Sequence, residues 1–345
     1  MEQEARETPK IIAKQLQDNE KILLELCSRL EQTPPPFAVT IGRGSSDHAC
    51  TYAKYLIETT TGLVTASAAP STVSVYHANL KLKNALVIGI SQSGMSPDIC
   101  TIMQEARKKG AITVALVNNA NSPLAKLAEF VIPLHAGAEN AVAATKSYIT
   151  SLTAIAHFIS LLSKNKTLIA NLHNLPQLLE ETLTKDWNSA VQEFENVQKT
   201  LVIARGYGFP IALEAALKFK ETASIQAEAF SAAEVLHGPF ALIKKNHPFL
   251  IFAQNDATLD GIMELAIKIK NLGGKPILAI PENSIAQDIL DQSTYLSLPL
   301  PQSLNPILDP IMTIQAFYIM VAKLAILRGY NPDSPNNLQK VTETM

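Results

Sequence analysis

The chain repeats itself. Ile41-Gly42-Arg43-Gly44 matches Ile203-Ala204-Arg205-Gly206, and Gly89-Ile90-Ser91-Gln92 lies level with Ile251-Phe252-Ala253-Gln254, both at an offset of 162 residues. Further on, Thr113-Val114-Ala115-Leu116-Val117 pairs with Ile277-Leu278-Ala279-Ile280, and Val131-Ile132-Pro133-Leu134 with Ser297-Leu298-Pro299-Leu300, at offsets of 163 to 166. Two copies of one pattern imply one fold built twice. Within each copy, short β-rich runs alternate with helical stretches such as Ser96 to Lys109 and Asp260 to Leu272, the pattern of βαβ units around a parallel sheet. The expected fold is α/β, with two tandem domains, each a parallel sheet sandwiched by helices in three layers. With 345 residues there is room for two cores. The expected division is 1–165 for a leading helix and the first domain, and 166–345 for a linker helix, the second domain and a tail. The leading helix should end before Pro34-Pro35-Pro36, the stretch Ser163 to Lys199 should contain helix, and Gly329 to Met345 should be irregular with one short helical turn.

Where the first copy turns from strand to helix, its residues are unusual. The unbroken apolar run Ala85 to Ile90 predicts a strand buried on both faces, and Pro97 suits the first turn of a helix. Between them lies Ser91-Gln92-Ser93-Gly94-Met95-Ser96. Free backbone N–H groups and the positive end of a helix dipole favour an anion at such a place. Small hydroxyl side chains can surround a phosphate while Gly94 lets the backbone approach it. Hydrogen bonds to charged groups contribute roughly 1.5–3 kcal/mol each, so three or four offset much of the ~4–15 kcal/mol cost of association. A small phosphorylated metabolite fits this turn; the alternative is an ordinary serine-rich loop. The matching turn in the second copy, Ala253-Gln254-Asn255-Asp256, carries an acidic residue that would repel phosphate. One phosphate site per chain is expected.

Composition narrows the partners. A net charge of −2 gives no support for nucleic-acid binding. The polar start Met1-Glu2-Gln3-Glu4-Ala5-Arg6 lacks a signal-peptide core, and no apolar run of membrane-spanning length is expected, which reads as a cytoplasmic protein without a membrane partner. Cys27, Cys50 and Cys100 are widely spaced and odd in number, which suits buried free thiols, and the seven histidines show no ligand spacing, so no metal is expected. A second anion turn, Gly42-Arg43-Gly44-Ser45-Ser46-Asp47, has Asp47 where a dinucleotide fingerprint wants glycine, and no cofactor is expected. Asp47 also serves as a plain helix-start residue, and Arg43 as a surface or interface charge.

Four further features read blandly when taken alone. Glu139-Asn140-Ala141-Val142-Ala143-Ala144-Thr145-Lys146 is a loop before a helix. The spacing of Glu214, Lys218 and Glu221 puts them near one helix face, which reads as a solvated, salt-bridged surface. His237, at the helix-breaking His237-Gly238-Pro239, and Lys340, in the polar tail, read as structural and surface residues.

Taken together, these segments resemble the sugar isomerase (SIS) family, in particular the two-domain isomerase half of glutamine:fructose-6-phosphate amidotransferases. The carriers are Gly42-Arg43-Gly44-Ser45-Ser46, Ser91-Gln92-Ser93-Gly94, Val142-Ala143-Ala144-Thr145-Lys146, Ala215 to Glu221, Ala227-Glu228-Ala229-Phe230, His237-Gly238-Pro239 and Asn337-Leu338-Gln339-Lys340. The resemblance covers nearly the whole chain. It implies that Ser46, Ser91, Gln92, Ser93 and Ser96 bind a sugar phosphate and that Ser45 and Val142 line the sugar, with Ala144 and Lys218 beside them. It also implies that Glu221 is the carbon-acid base, His237 the ring-opening residue of a partner subunit's site, and Lys340 a catalytic tail lysine. Shared sites imply a homodimer. Lys340 would stabilise the intermediate or form a Schiff base, the latter needing a neutral amine and hence a pKa lowered by burial or by a cationic neighbour such as Lys218. The chain departs from the amidotransferase pattern at Arg43, where a cysteine is usual, and at Ala144, where a serine is usual.

With the first domain following Met1-Glu2 almost directly, glutamine is not the expected ammonia source. The motifs resemble the SIS-type glucosamine-6-phosphate deaminases, which implies conversion of D-glucosamine 6-phosphate and water to D-fructose 6-phosphate and ammonia. The alternatives are a deaminase, deglycase or isomerase for galactosamine 6-phosphate or fructosamine 6-phosphate, and a non-catalytic phosphosugar sensor.

Overall fold

The computed structural model describes residues 1–287 and 295–340. Its first sheet comprises β1 (Ala38–Ile41), β2 (Thr65–Ser67), β3 (Leu86–Ser91), β4 (Ile112–Val117) and β5 (Phe130–Pro133), all parallel, in the order β2-β1-β3-β4-β5. The second comprises β6 (Lys199–Ala204), β7 (Gln226–Ser231), β8 (Pro248–Phe252), β9 (Lys275–Pro281) and β10 (Leu296–Leu300), again parallel, in the order β10-β9-β8-β6-β7. Counted along the chain, the two orders are the same. The internal repeat is thus a repeat of topology, and the doubled α/β sandwich is the observed fold.

Two compact units carry these sheets. The first-sheet unit contains Glu7–Glu139, Lys146–Asn174 and the chain from Gln339, whereas the second-sheet unit contains Met1–Arg6, Asn140–Thr145 and Leu175–Leu338. The units therefore cross the expected 165/166 division. Within the second-sheet unit, Glu4 accepts from the N–H groups of Asn140 (2.5 Å) and Ala141 (3.2 Å), the Val142 N–H donates to the Asp333 carbonyl (2.9 Å), and the N-terminal ammonium pairs with Asp333. These contacts tie the first residues and the 140–145 loop to the later part of the chain.

In the first-sheet unit, alternate strand residues face opposite ways, as period-two geometry requires. Val39, Val87 and Ala115 join Ile99 and Met103 of the helix Pro97–Lys108 in one core cluster. On the other face, Ile88, Val114 and Leu116 meet Ile57 of the helix Ser45–Thr61 and Ile155 of the helix Lys146–Leu162 around a narrow apolar gap. The leading helix, Thr8–Gln32, packs on Lys146–Leu162 and buries Ile12, Leu16, Leu23 and Leu30. Gln15 fixes it by donating to the Leu134 and Thr150 carbonyls, both at 3.0 Å.

The second-sheet unit buries Leu201, Ile203, Phe249 and Ile251 against Ile262 and Ile269 of the helix Leu259–Asn271. On its other side the helix Phe209–Ala223 packs against Asp309–Leu327, with the Phe219 and Phe317 rings edge to face at 5.1 Å. By length and composition Asp309–Leu327 could cross a membrane. Most of it is buried inside the unit, so here it serves as a core helix.

The expected linker contains the helices Lys166–Thr182 and Asn188–Phe194. The tail is irregular to Lys340, and the rest of its expected course lies outside the described residues. Cys27, Cys50 and Cys100 are free; the first two are buried, and burial pushes the Cys27 thiol up to about 11.

Candidate functional site

In the first sheet, β1 and β3 are hydrogen-bonded neighbours with Ile41 level with Gly89, while β2 lies outside β1. This is the topological switch point, where α/β sheets open a crevice at the carboxyl ends of their strands. Both hydroxyl-rich turns leave the sheet there. After β1 the chain reaches Ser45 and Ser46 at the start of the helix Ser45–Thr61; after β3 it passes Ser91 to Ser96 and enters the helix Pro97–Lys108. Two helix N-termini thus stand side by side, each favouring negative charge.

The backbone explains the glycines. A Cβ on Gly42 would lie 2.7 Å from the Ser46 carbonyl carbon and 2.8 Å from the Asp47 nitrogen, so only glycine lets the strand end approach the helix start. Gly94 has φ of +65°, and a Cβ there would sit 2.1 Å from the Ser122 hydroxyl. Ser91 Oγ accepts from the Gly94 N–H at 3.0 Å, and Ser93 Oγ accepts from the Met95 N–H at 3.3 Å. Each hydroxyl keeps its own proton to donate, and a phosphate oxygen can only accept. Ser91 is buried, whereas Ser45, Ser46, Gln92, Ser93 and Ser96 are half-buried.

Arg43 is more than a surface charge. Its Nη2 and Nε lie 2.6 and 3.0 Å from Oδ2 of Asp98, whose side chain is fully buried in the first turn of the helix Pro97–Lys108. The departure from the usual cysteine therefore ties the two turns together. Asp98 follows Pro97 directly, but nothing in the spacing of Arg43 and Asp98 announces the pair.

Lys340 lies in the same unit and is also no free surface charge. Its Nζ is 3.0 Å from Oε2 of Glu139, and only 27% of its side chain is exposed. The carboxylate of Glu139 is thus one neighbour of this lysine.

In the second-sheet unit, the helix Phe209–Ala223 carries Glu214, Lys218 and Glu221 on one face, as their spacing predicts. That face is not solvated. Glu214 and Lys218 are buried, and the Lys218 ammonium lies 3.2 Å from Glu214 and 2.6 Å from Glu221. Tyr318 donates to Glu214 at 2.9 Å. Burial alone would lower the Lys218 pKa, but the two carboxylates outweigh it and hold the ammonium above the ordinary lysine range. Glu221, with 21% of its side chain exposed, carries this buried network outward. Tyr318 had no sequence signal, because it comes from the core helix Asp309–Leu327.

His237 is exposed in the turn after the short helix Ala232–Val235, and Gly238 beside it has φ of +139°. Val142 and Ala144 lie half-buried in the 140–145 loop of the second-sheet unit.

The second sheet's own switch-point turn is chemically different. Asp256 accepts from the Thr258 N–H and hydroxyl at 2.8 and 2.6 Å. Nearby Asp309 is buried, and burial pushes its carboxyl up to about 7, with Asp256 adding to the shift and the Ser303 and Asn255 hydrogen bonds opposing it. An acidic side chain, Asp256, thus stands in the turn that matches the hydroxyl-rich one of the first sheet.

Comparison with known proteins agrees with this architecture. The glutamine–fructose-6-phosphate aminotransferase (isomerizing) of Aquifex aeolicus is 32% identical over 303 residues, covering 87% of this chain and 50% of that protein. The chain spans about half the length of the curated relatives it matches. A crystal structure from Silicibacter pomeroyi DSS-3, provisionally assigned as a phosphosugar isomerase, is 36% identical with a TM-score of 0.89, covering 96% of this chain and 99% of that one. The C-terminal domain of glucosamine-fructose-6-phosphate aminotransferase from Francisella tularensis is 25% identical with a TM-score of 0.86, covering 96% of each chain. The family model described as SIS domain matches twice, over residues 37–161 and 193–326, each range enclosing one of the parallel sheets, and the chain belongs to that family.

Proposed function

We propose that the protein is a phosphosugar isomerase acting as a deaminase, which converts D-glucosamine 6-phosphate and water to D-fructose 6-phosphate and ammonia. The observation that carries the reading is the pair of hydroxyl-rich turns at the first sheet's switch point. Ser46, Ser91, Gln92, Ser93 and Ser96 hold the phosphoryl group, and Ser45, Val142 and Ala144 border the sugar. Holding the non-reacting end supplies binding energy that orients the reacting one. His237 transfers the proton that opens the pyranose. Glu221 then removes the C2 proton and returns it to C1 through an enolamine, kept in place by its ion pair with Lys218. The resulting ketimine takes up water at C2 and releases ammonia, and Lys340 steadies the intermediate.

The relatives support the phosphosugar part, since those named above are aminotransferases of fructose 6-phosphate or are assigned to phosphosugar isomerisation. The likeness of Gly42 to Ala49 and of Ser91 to Asp98 to the SIS-type deaminases supports the direction. The exposed His237 suits service in a partner's site and hence a homodimer, and three free thiols suit the reducing cytoplasm.

Purified protein should release ammonia and fructose 6-phosphate in equal amounts from glucosamine 6-phosphate without glutamine. Galactosamine 6-phosphate and fructosamine 6-phosphate form the comparison panel. No release from glucosamine 6-phosphate, or product formation only in the reverse direction with glutamine, would reject the assignment.

A further inference from the structure

Glu139 opens the loop before the helix Lys146–Leu162, and its side chain is fully buried. Its Oε1 accepts from the Ser147 N–H at 3.0 Å, and its Oε2 accepts from the Ser147 hydroxyl at 2.8 Å and from Lys340 Nζ at 3.0 Å. Ser147 lies in the first turn of the helix Lys146–Leu162, so the carboxylate also faces the positive end of a long helix. The two Ser147 contacts fix the plane of the carboxylate. The ammonium of Lys340, 201 residues away in sequence, supplies the opposite charge that a buried carboxylate needs.

We propose that Glu139 is a positioning residue that docks the C-terminal tail, holding Lys340 at a fixed place beside the start of the helix Lys146–Leu162. Docking itself follows from the charge and geometry of these three residues; only its kinetic consequence rests on the phosphosugar reading, in which Lys340 works on the bound sugar. A tail lysine without such an anchor would sample many rotamers, and its ammonium would be placed only part of the time.

Glu139→Gln separates anchor from fold. The amide can still accept from the Ser147 N–H and donate to the Ser147 hydroxyl, but its NH2 group cannot accept from an ammonium. Trypsin cleaves after Lys340, and mass spectrometry reads the loss of residues 341–345 from the otherwise intact chain. Because a hydrogen bond to a charged group is lost, E139Q should lose this peptide at least about tenfold faster than the native protein. Lys340→Met is a second variant, which leaves Glu139 its two contacts with Ser147, and carboxypeptidase should trim its tail faster by a similar factor. Unchanged trimming in either folded variant overturns the docking. In turnover, E139Q should lower kcat with KM nearly unchanged, and Glu139→Asp should recover part of the loss. Faster trimming with kcat intact would leave the docking standing and remove Lys340 from the reaction.

Discussion

Replacing Glu221 with glutamine will lower turnover of glucosamine 6-phosphate by about 10²–10⁴-fold, the usual contribution of a positioned general base. The amide in Glu221→Gln keeps the size of the side chain and a carbonyl oxygen that still accepts from Lys218, so the buried network survives. It loses the ability to carry a proton between carbons. KM should hold, because the phosphoryl contacts assigned to Ser46, Ser91, Ser93 and Ser96 remain, and the loss should fall on kcat. Exchange of the C2 hydrogen with deuterated solvent offers a second readout that does not depend on ammonia release. Turnover within a few-fold of the native protein, or exchange at the native rate, would take the proposed role of base away from Glu221.

Removing the charge of Lys218 should damage the fold more than the substrate grip. Lys218→Met fills nearly the same volume, but it takes the ammonium from between Glu214 and Glu221, and Glu214 is fully buried. Breaking a buried pair by removing one partner costs about 3–5 kcal/mol, because the remaining charge is left in a poor solvent. Chemical denaturation of K218M should show a loss of that order. The double variant K218M with Glu214→Gln should regain much of it, since the uncompensated charge is then gone. An unchanged midpoint for K218M, or no recovery in the double variant, would mean that the ion pairs do not set the stability of this helix face.

The parts of this molecule that could be read from the sequence are those fixed by local pattern. The Ala85 to Ile90 run became β3, and the helices expected at Ser96 to Lys109 and Asp260 to Leu272 occur at Pro97–Lys108 and Leu259–Asn271. The outer strands were harder to see. Thr65–Ser67 is three residues long with two exposed, and Gln226–Ser231 exposes Gln226 and Glu228, so neither shows the apolar run of an inner strand. The spacing of Glu214, Lys218 and Glu221 was legible, but their burial was not. Spacing puts residues on one face without saying what covers that face, and here the covering helix, Asp309–Leu327, begins 88 residues after Glu221. The pairs Arg43–Asp98 and Glu139–Lys340 join residues far apart in the chain, and only the folded backbone brings them together.

The central claim is that the hydroxyl-lined turns of the first sheet grip a phosphorylated sugar. A crystal structure with fructose 6-phosphate bound tests it most directly. The phosphoryl group should lie among the side chains of Ser46, Ser91, Ser93 and Ser96, with oxygens about 2.5–3.0 Å from at least three of the hydroxyls. A phosphoryl group seated at the second sheet's switch point, or anywhere away from Ser91 and Ser93, would contradict the account.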